Sequence, residues 1–156
     1  MKIVRHAKHL LLHLEQRERH LVFGILRLYP QIPPGHFRLS KSGGTPESQS
    51  NQALLDEALA EQRAEAKKQL QRLLSEPKRC EETSSGVRIR FAEGEVDWFL
   101  QVLNDIRIGS WLRLGAPEGR VDPTGLKPEL VPLFLAMELA GALQMELLGA
   151  LNRPTI

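Results

Sequence analysis

The stretch that most constrains the fold is residues 87–115, where the spacing of apolar side chains changes partway along. Val87, Ile89 and Phe91 occupy every second position, which is the period of a strand with one buried face. After Gly94 the apolar residues recur every three or four positions, as they do in a helix. The pattern predicts a strand that leads directly into a helix, and it names no reaction.

A weaker version of the same pattern lies upstream. Leu10, Leu12 and Leu14 alternate with other residues before a helical run over 15–28. Neither unit can bury its apolar side alone, so we expect the two strands to join one sheet with both helices on its inner face. The similarity is compatible with a duplication and equally with two unrelated strand–helix units.

These units predict an α+β, mainly α fold: a small antiparallel sheet of short strands packed against a bundle of about four helices. The chain of 156 residues, 42% of them hydrophobic, suits a single domain over 1–156. A further short strand is expected at 2–5. Strand–helix units are expected at about 9–29 and 87–115, helices at 51–75 and 128–151, and a mobile, Ser-, Gly- and Pro-rich loop at 36–50.

The last two long helices are apolar around most of their circumference, which is typical of helices in a protein interior. Pro132, Glu138, Gln144 and Glu146 make insertion of the final helix into a membrane costly. Its small residues indicate close packing against another helix, so we predict a soluble core helix or one shared with a second subunit.

Arg107 is the main anomaly, because helical geometry places it among Val96, Leu100 and Leu103 rather than with the polar residues of its helix. A buried guanidinium needs a partner. We predict a pair with Glu138 or Glu146, or with their copies across a dimer interface. The alternative is a pocket for a small anionic ligand, or an enzymatic role, centred on Arg107. The candidate structural or ligand cluster comprises Trp98, Asn104, Asp105, Arg107, Trp111, Glu138 and Glu146.

Other chemistry has little support in the sequence. A net charge of +2 with dispersed basic residues predicts no nucleic-acid partner. The polar residues and the proline of the last helix predict no membrane partner. His6, His9 and His13 lack the companions of a zinc motif, and no phosphate loop, dinucleotide fingerprint or nucleophile motif occurs. We therefore predict no catalytic residue, metal or cofactor. The single cysteine, Cys80, and the lack of a recognisable leader predict a cytoplasmic protein.

Trp98, the run Leu103-Asn104-Asp105-Ile106-Arg107 and the run Arg113-Leu114-Gly115 resemble the signature of a bacterial family of unknown function. Its members carry a Trp, then Leu-Asn-Asp-x-Arg, then Arg-Leu-Gly, and are often encoded beside the adaptor of the Clp protease. The resemblance covers about 87–115. It implies a small, mainly helical bacterial protein and a link to regulated proteolysis, and it implies no activity.

Together these features favour a non-enzymatic protein-interaction or regulatory module that forms a homodimer and has a further protein partner of unknown identity. The alternative remains the ligand-binding or enzymatic role centred on Arg107.

Overall fold

A computed structural model describes residues 1–39 and 44–154 of the chain. Four antiparallel strands form one sheet in the order β1-β2-β4-β3. They are β1 (Lys2–His6), β2 (His9–Glu15), β3 (Cys80–Glu82) and β4 (Gly86–Ala92). Together with four long helices, this sheet gives the α+β, mainly α fold expected from the sequence.

The two strands identified by alternation are neighbours at the centre of the sheet. Leu12 of β2 pairs with Ile89 of β4, and Leu14 pairs with Val87. These four side chains are at most 2% exposed, so the alternation identified the buried face correctly. The edge strand β3 was not predicted, because three residues with little apolar content carry no periodic signal.

Helices α1 (Gln16–Leu26) and α3 (Glu95–Arg113) each follow a central strand, as expected. Both helices contribute to one hydrophobic core with the inner face of the sheet, α1 through Val22 and Leu26 and α3 through Phe99 and Leu103. Gly94 precedes α3 with a φ of 84°, which only glycine adopts readily, and this residue turns β4 into the helix.

Helix α2 (Pro46–Ser75) is longer than predicted, because residues 46–50 of the expected mobile loop belong to it. The Thr45 hydroxyl accepts a hydrogen bond from the Ser48 amide and caps the helix, with Pro46 in its first turn. Residues 40–43 of that loop lie outside the described residues. Only Leu70 and Leu73 of α2 are buried, so the helix joins the core through its C-terminal part.

Helix α4 (Val131–Leu151) follows two short 3-10 turns, Pro123–Gly125 and Pro128–Leu130. It packs more extensively against α3 than against any other element. Ala136 and Ala140 are fully buried on α4, which confirms that its small residues allow close helix packing. The opposite side of α4 is exposed in the single chain, so α4 is a core helix on one side, and its sharing with a second subunit stays a prediction.

Candidate functional site

Arg107 is exposed, and its guanidinium donates hydrogen bonds to uncharged side chains. Its Nε donates to Gln144 Oε1 at 3.1 Å, and its Nη2 donates to Asn104 Oδ1 at 2.9 Å. Among residues 1–39 and 44–154, neither Glu138 nor Glu146 forms an ion pair with it. The predicted pair within one chain is therefore wrong, and pairing across a dimer stays a prediction.

Arg107 does not reach the glutamates because its side chain runs past Gly141, where α4 has no side chain. A Cβ at this glycine would lie 3.4 Å from Arg107 Cδ, so the arginine stem passes close to the α4 backbone. The stem can then cover apolar surface while the charged end reaches water. A helical projection gives the direction of a side chain at its Cα, but not where a long side chain ends.

Asp105 differs from its prediction in the opposite direction. Helical spacing groups Asp105 with Asp97, Gln101 and Asn104 on the polar side of its helix, whereas the structure leaves Asp105 only 8% exposed. Its Oδ1 accepts hydrogen bonds from the backbone amides of Gln31 at 2.6 Å and Ile32 at 3.4 Å. Burial raises the pKa of the Asp105 carboxyl, although these two bonds and the nearby Arg63 act against the rise.

Two neighbouring residues of α3 complete the attachment of this segment. Gly109 has no side chain where the Gln31 backbone passes, and a Cβ there would lie 2.4 Å from the Gln31 carbonyl carbon. The Arg113 Nε donates to the Gln31 carbonyl oxygen at 3.2 Å. Asp105, Gly109 and Arg113 thus hold residues 31–32 against α3.

Asp105 and Asn104 also line a cavity of about 450 Å³, which we call the α2–α3 cavity. Its walls come from α2, α3, Gln144 of α4 and the segment after α1. Tyr29 lies at the same cavity, and burial together with the charge of Asp105 raises the pKa of its hydroxyl to about 12. The tyrosine therefore stays protonated at neutral pH.

The two tryptophans of the predicted cluster lie apart from Asp105. Trp98 packs edge-on against Phe99, with ring centroids 5.9 Å apart. Trp111 is 38% exposed, and its Nε1 donates to the Pro117 carbonyl oxygen at 3.0 Å. The structure brings Asn104 and Arg107 together and places Asp105 at the cavity, while Glu138 and Glu146 lie exposed on α4. Arg63 and Gln144 were missed, because isolated polar residues on helices carry no sequence signal.

Large apolar side chains are exposed along one side of α4. Its large side chains are Leu135, 52% exposed, Met145, 75% exposed, and Leu148, 47% exposed. We define the α4 outer face as residues Leu135, Glu138, Ala142, Met145, Glu146 and Leu148. It lies opposite the buried residues Ala136, Ala140, Leu143, Leu147 and Ala150.

The segment Pro128–Leu151 is long and apolar enough to span a membrane by length and composition. Its most apolar window of 18 residues has a mean hydropathy of 1.5. Only 22% of that window is buried within the structure. Core helices of soluble proteins also pass this test, and α4 supplies five buried residues to the core against α3. The predicted cytoplasmic location remains a prediction.

His6, His9 and His13 lie on the sheet, where His6 pairs with His9 across the β1–β2 turn. Burial, followed by the charges of Arg88 and Lys2, lowers the pKa of His13. Within the described ranges, no group of three His, Cys, Asp or Glu side chains is placed to hold a metal ion. Burial also raises the pKa of Cys80, which does not favour a reactive thiolate.

No family model, curated protein or solved structure matches this chain. The resemblance carried by Trp98, residues 103–107 and residues 113–115 therefore remains a prediction, as does the link to regulated proteolysis that it implies.

Proposed function

We propose that this protein is a non-enzymatic interaction module that self-associates through the α4 outer face. The observation that carries the proposal is the exposure of Leu135, Met145 and Leu148 on one side of a helix whose other side is core. Exposed apolar surface of this kind, bordered by polar residues, is typical of protein contact sites. The occupant that we propose is a second copy of the same face.

The spacing along α4 supports helix pairing. Residues 135, 138, 142, 145 and 149 recur every three or four positions, which is the seam spacing of paired helices. Ala142 and Gly149 are small and allow close approach at this seam. The 21 residues of α4 extend about 30 Å, long enough to contribute the centre of a two-fold interface.

The charged residues on and beside the α4 outer face indicate which groups would pair across such a contact. Glu138 and Glu146 have no ion-pair partner among the described residues, so a second copy must leave them hydrated or supply a cation. Arg107 lies beside Gly141 at the border of the face, and its Nη1 makes no hydrogen bond with the described residues. This guanidinium is our proposed partner for a glutamate of the second copy.

Sedimentation equilibrium over a protein concentration series tests the proposal with Met145→Glu. A charge at an apolar contact should weaken self-association by roughly tenfold to a hundredfold. The matched control is Leu54→Glu on α2, because Leu54 is likewise apolar and 64% exposed but lies on another helix. Circular dichroism should show that both variants keep the native helical content.

A monomer at every concentration in the unmodified protein would contradict the proposal. Equal weakening by Met145→Glu and Leu54→Glu would also contradict it, since the contact would then not be specific to α4.

A further inference from the structure

The α2–α3 cavity has the size and lining of a small-molecule site. Its volume of about 450 Å³ lies within the common range for ligand pockets. Ile32, Leu59 and Leu100 give it apolar walls, and Asp105 and Arg63 add one negative and one positive group.

Asp105 presents an oxygen that the fold does not use. Both backbone amides that it binds donate to Oδ1, and Oδ2 makes no hydrogen bond with the described residues. The residue is only 8% exposed and lines the cavity, so little of its carboxylate reaches water. Burial raises the pKa of Asp105, which agrees with a carboxylate that is incompletely hydrated.

Arg63 lies on α2 at the same cavity. Its guanidinium forms no ion pair and no hydrogen bond with residues 1–39 and 44–154, yet it is close enough to act electrostatically on Asp105 and Tyr29. Opposite charges at one cavity attract each other, and the attraction is larger where the surroundings hold less water. Here Arg63 and Asp105 form no ion pair, so each charge is available to a bound group.

We propose that the α2–α3 cavity binds a free amino acid with an apolar side chain. Its ammonium group binds the free oxygen of Asp105, its carboxylate binds Arg63, and its side chain packs against Ile32, Leu59 and Leu100. A zwitterion compensates both charges together, whereas a simple amine or a simple carboxylate leaves one of them without a partner. This site is separate from the α4 outer face and does not depend on self-association.

Isothermal titration calorimetry and amide NMR with three probes test this inference. The probes are L-leucine, 3-methylbutylamine, which is leucine without its carboxylate, and 4-methylpentanoate, which is leucine without its ammonium group. We expect L-leucine to bind, to shift the amides of Ile32 and Leu100, and to bind at least about tenfold more tightly than either analogue.

Asp105→Asn and Arg63→Gln should each weaken leucine binding by about tenfold or more. The asparagine keeps an oxygen for the Gln31 and Ile32 amides, so the NMR spectrum should confirm an intact fold. The control is Arg72→Gln, an exposed arginine further along α2, which should leave binding unchanged. The inference is overturned if L-leucine does not bind, if an analogue binds as tightly, or if binding is insensitive to both variants.

Discussion

At the scale of single residues, Asp105 is the member of the predicted cluster that binds two backbone amides. Asp105→Ala removes the acceptor of two backbone amides and should lower the free energy of unfolding by about 2 kcal/mol. Asp105→Asn keeps an acceptor oxygen and should lower it much less. Urea denaturation of both variants checks this order, and an alanine variant as stable as the asparagine variant would contradict it.

The pH dependence of the same residue has a defined sign. The folded protein raises the pKa of Asp105 above its ordinary value of 3.8, so the folded state holds this proton more tightly than the unfolded chain. Its contribution to stability is complete below pH 3.8 and is lost as the pH rises through the raised pKa. Relative to Asp105→Asn, the unmodified protein should therefore lose stability as the pH rises above 3.8. A relative gain would show that the carboxylate is better stabilised in the fold than in water.

Two glycines in helices should respond oppositely to the same substitution. Gly109→Ala places a methyl group 2.4 Å from the Gln31 backbone and should destabilise the protein by about 1–3 kcal/mol. Gly24→Ala adds a methyl with no atom within 4 Å and should stabilise α1 by roughly 0.5–1 kcal/mol. Denaturant unfolding measures both changes, and equal effects would show that residues 31–32 do not need the space at Gly109.

At the scale of elements, α4 has one side in the core and one side exposed, and adjacent leucines separate these roles. Leu147→Ala should cost about 2–5 kcal/mol, since the side chain is fully buried, whereas Leu148→Ala should cost less than about 0.5 kcal/mol in a dilute monomer. Thermal or urea unfolding of both variants at low protein concentration checks the difference. Similar losses would mean that α4 is buried on both sides.

The same helix shows where sequence reasoning about elements stops. The alternation of apolar and polar residues located β2 and β4 and their buried faces, because successive side chains of a strand point to opposite sides of the sheet. An apolar run such as α4 lacks that contrast, and its sequence does not indicate which side meets α3. Composition therefore predicted a core helix without showing which side is buried, and packing within the chain buries one side.

At the scale of the whole molecule, the α+β architecture and the order of its main elements could be predicted, whereas the surroundings of the candidate residues could not. The contact between Asp105 and the Gln31 amide joins positions 74 residues apart, and no local pattern encodes it. Arg107 and Gln144 likewise meet only after α3 and α4 have packed. Positions of polar side chains depend on tertiary contacts that hydrophobic periodicity does not specify.

The most direct test of self-association through the α4 outer face uses the methionine methyl groups. The chain has three methionines, of which Met145 is 75% exposed on that face and Met1 is 39% exposed on the sheet edge. Carbon-13 methyl NMR over a concentration series should shift or broaden the Met145 signal while leaving that of Met1 unchanged. A Met145 signal that stays sharp and fixed at every concentration would contradict the account.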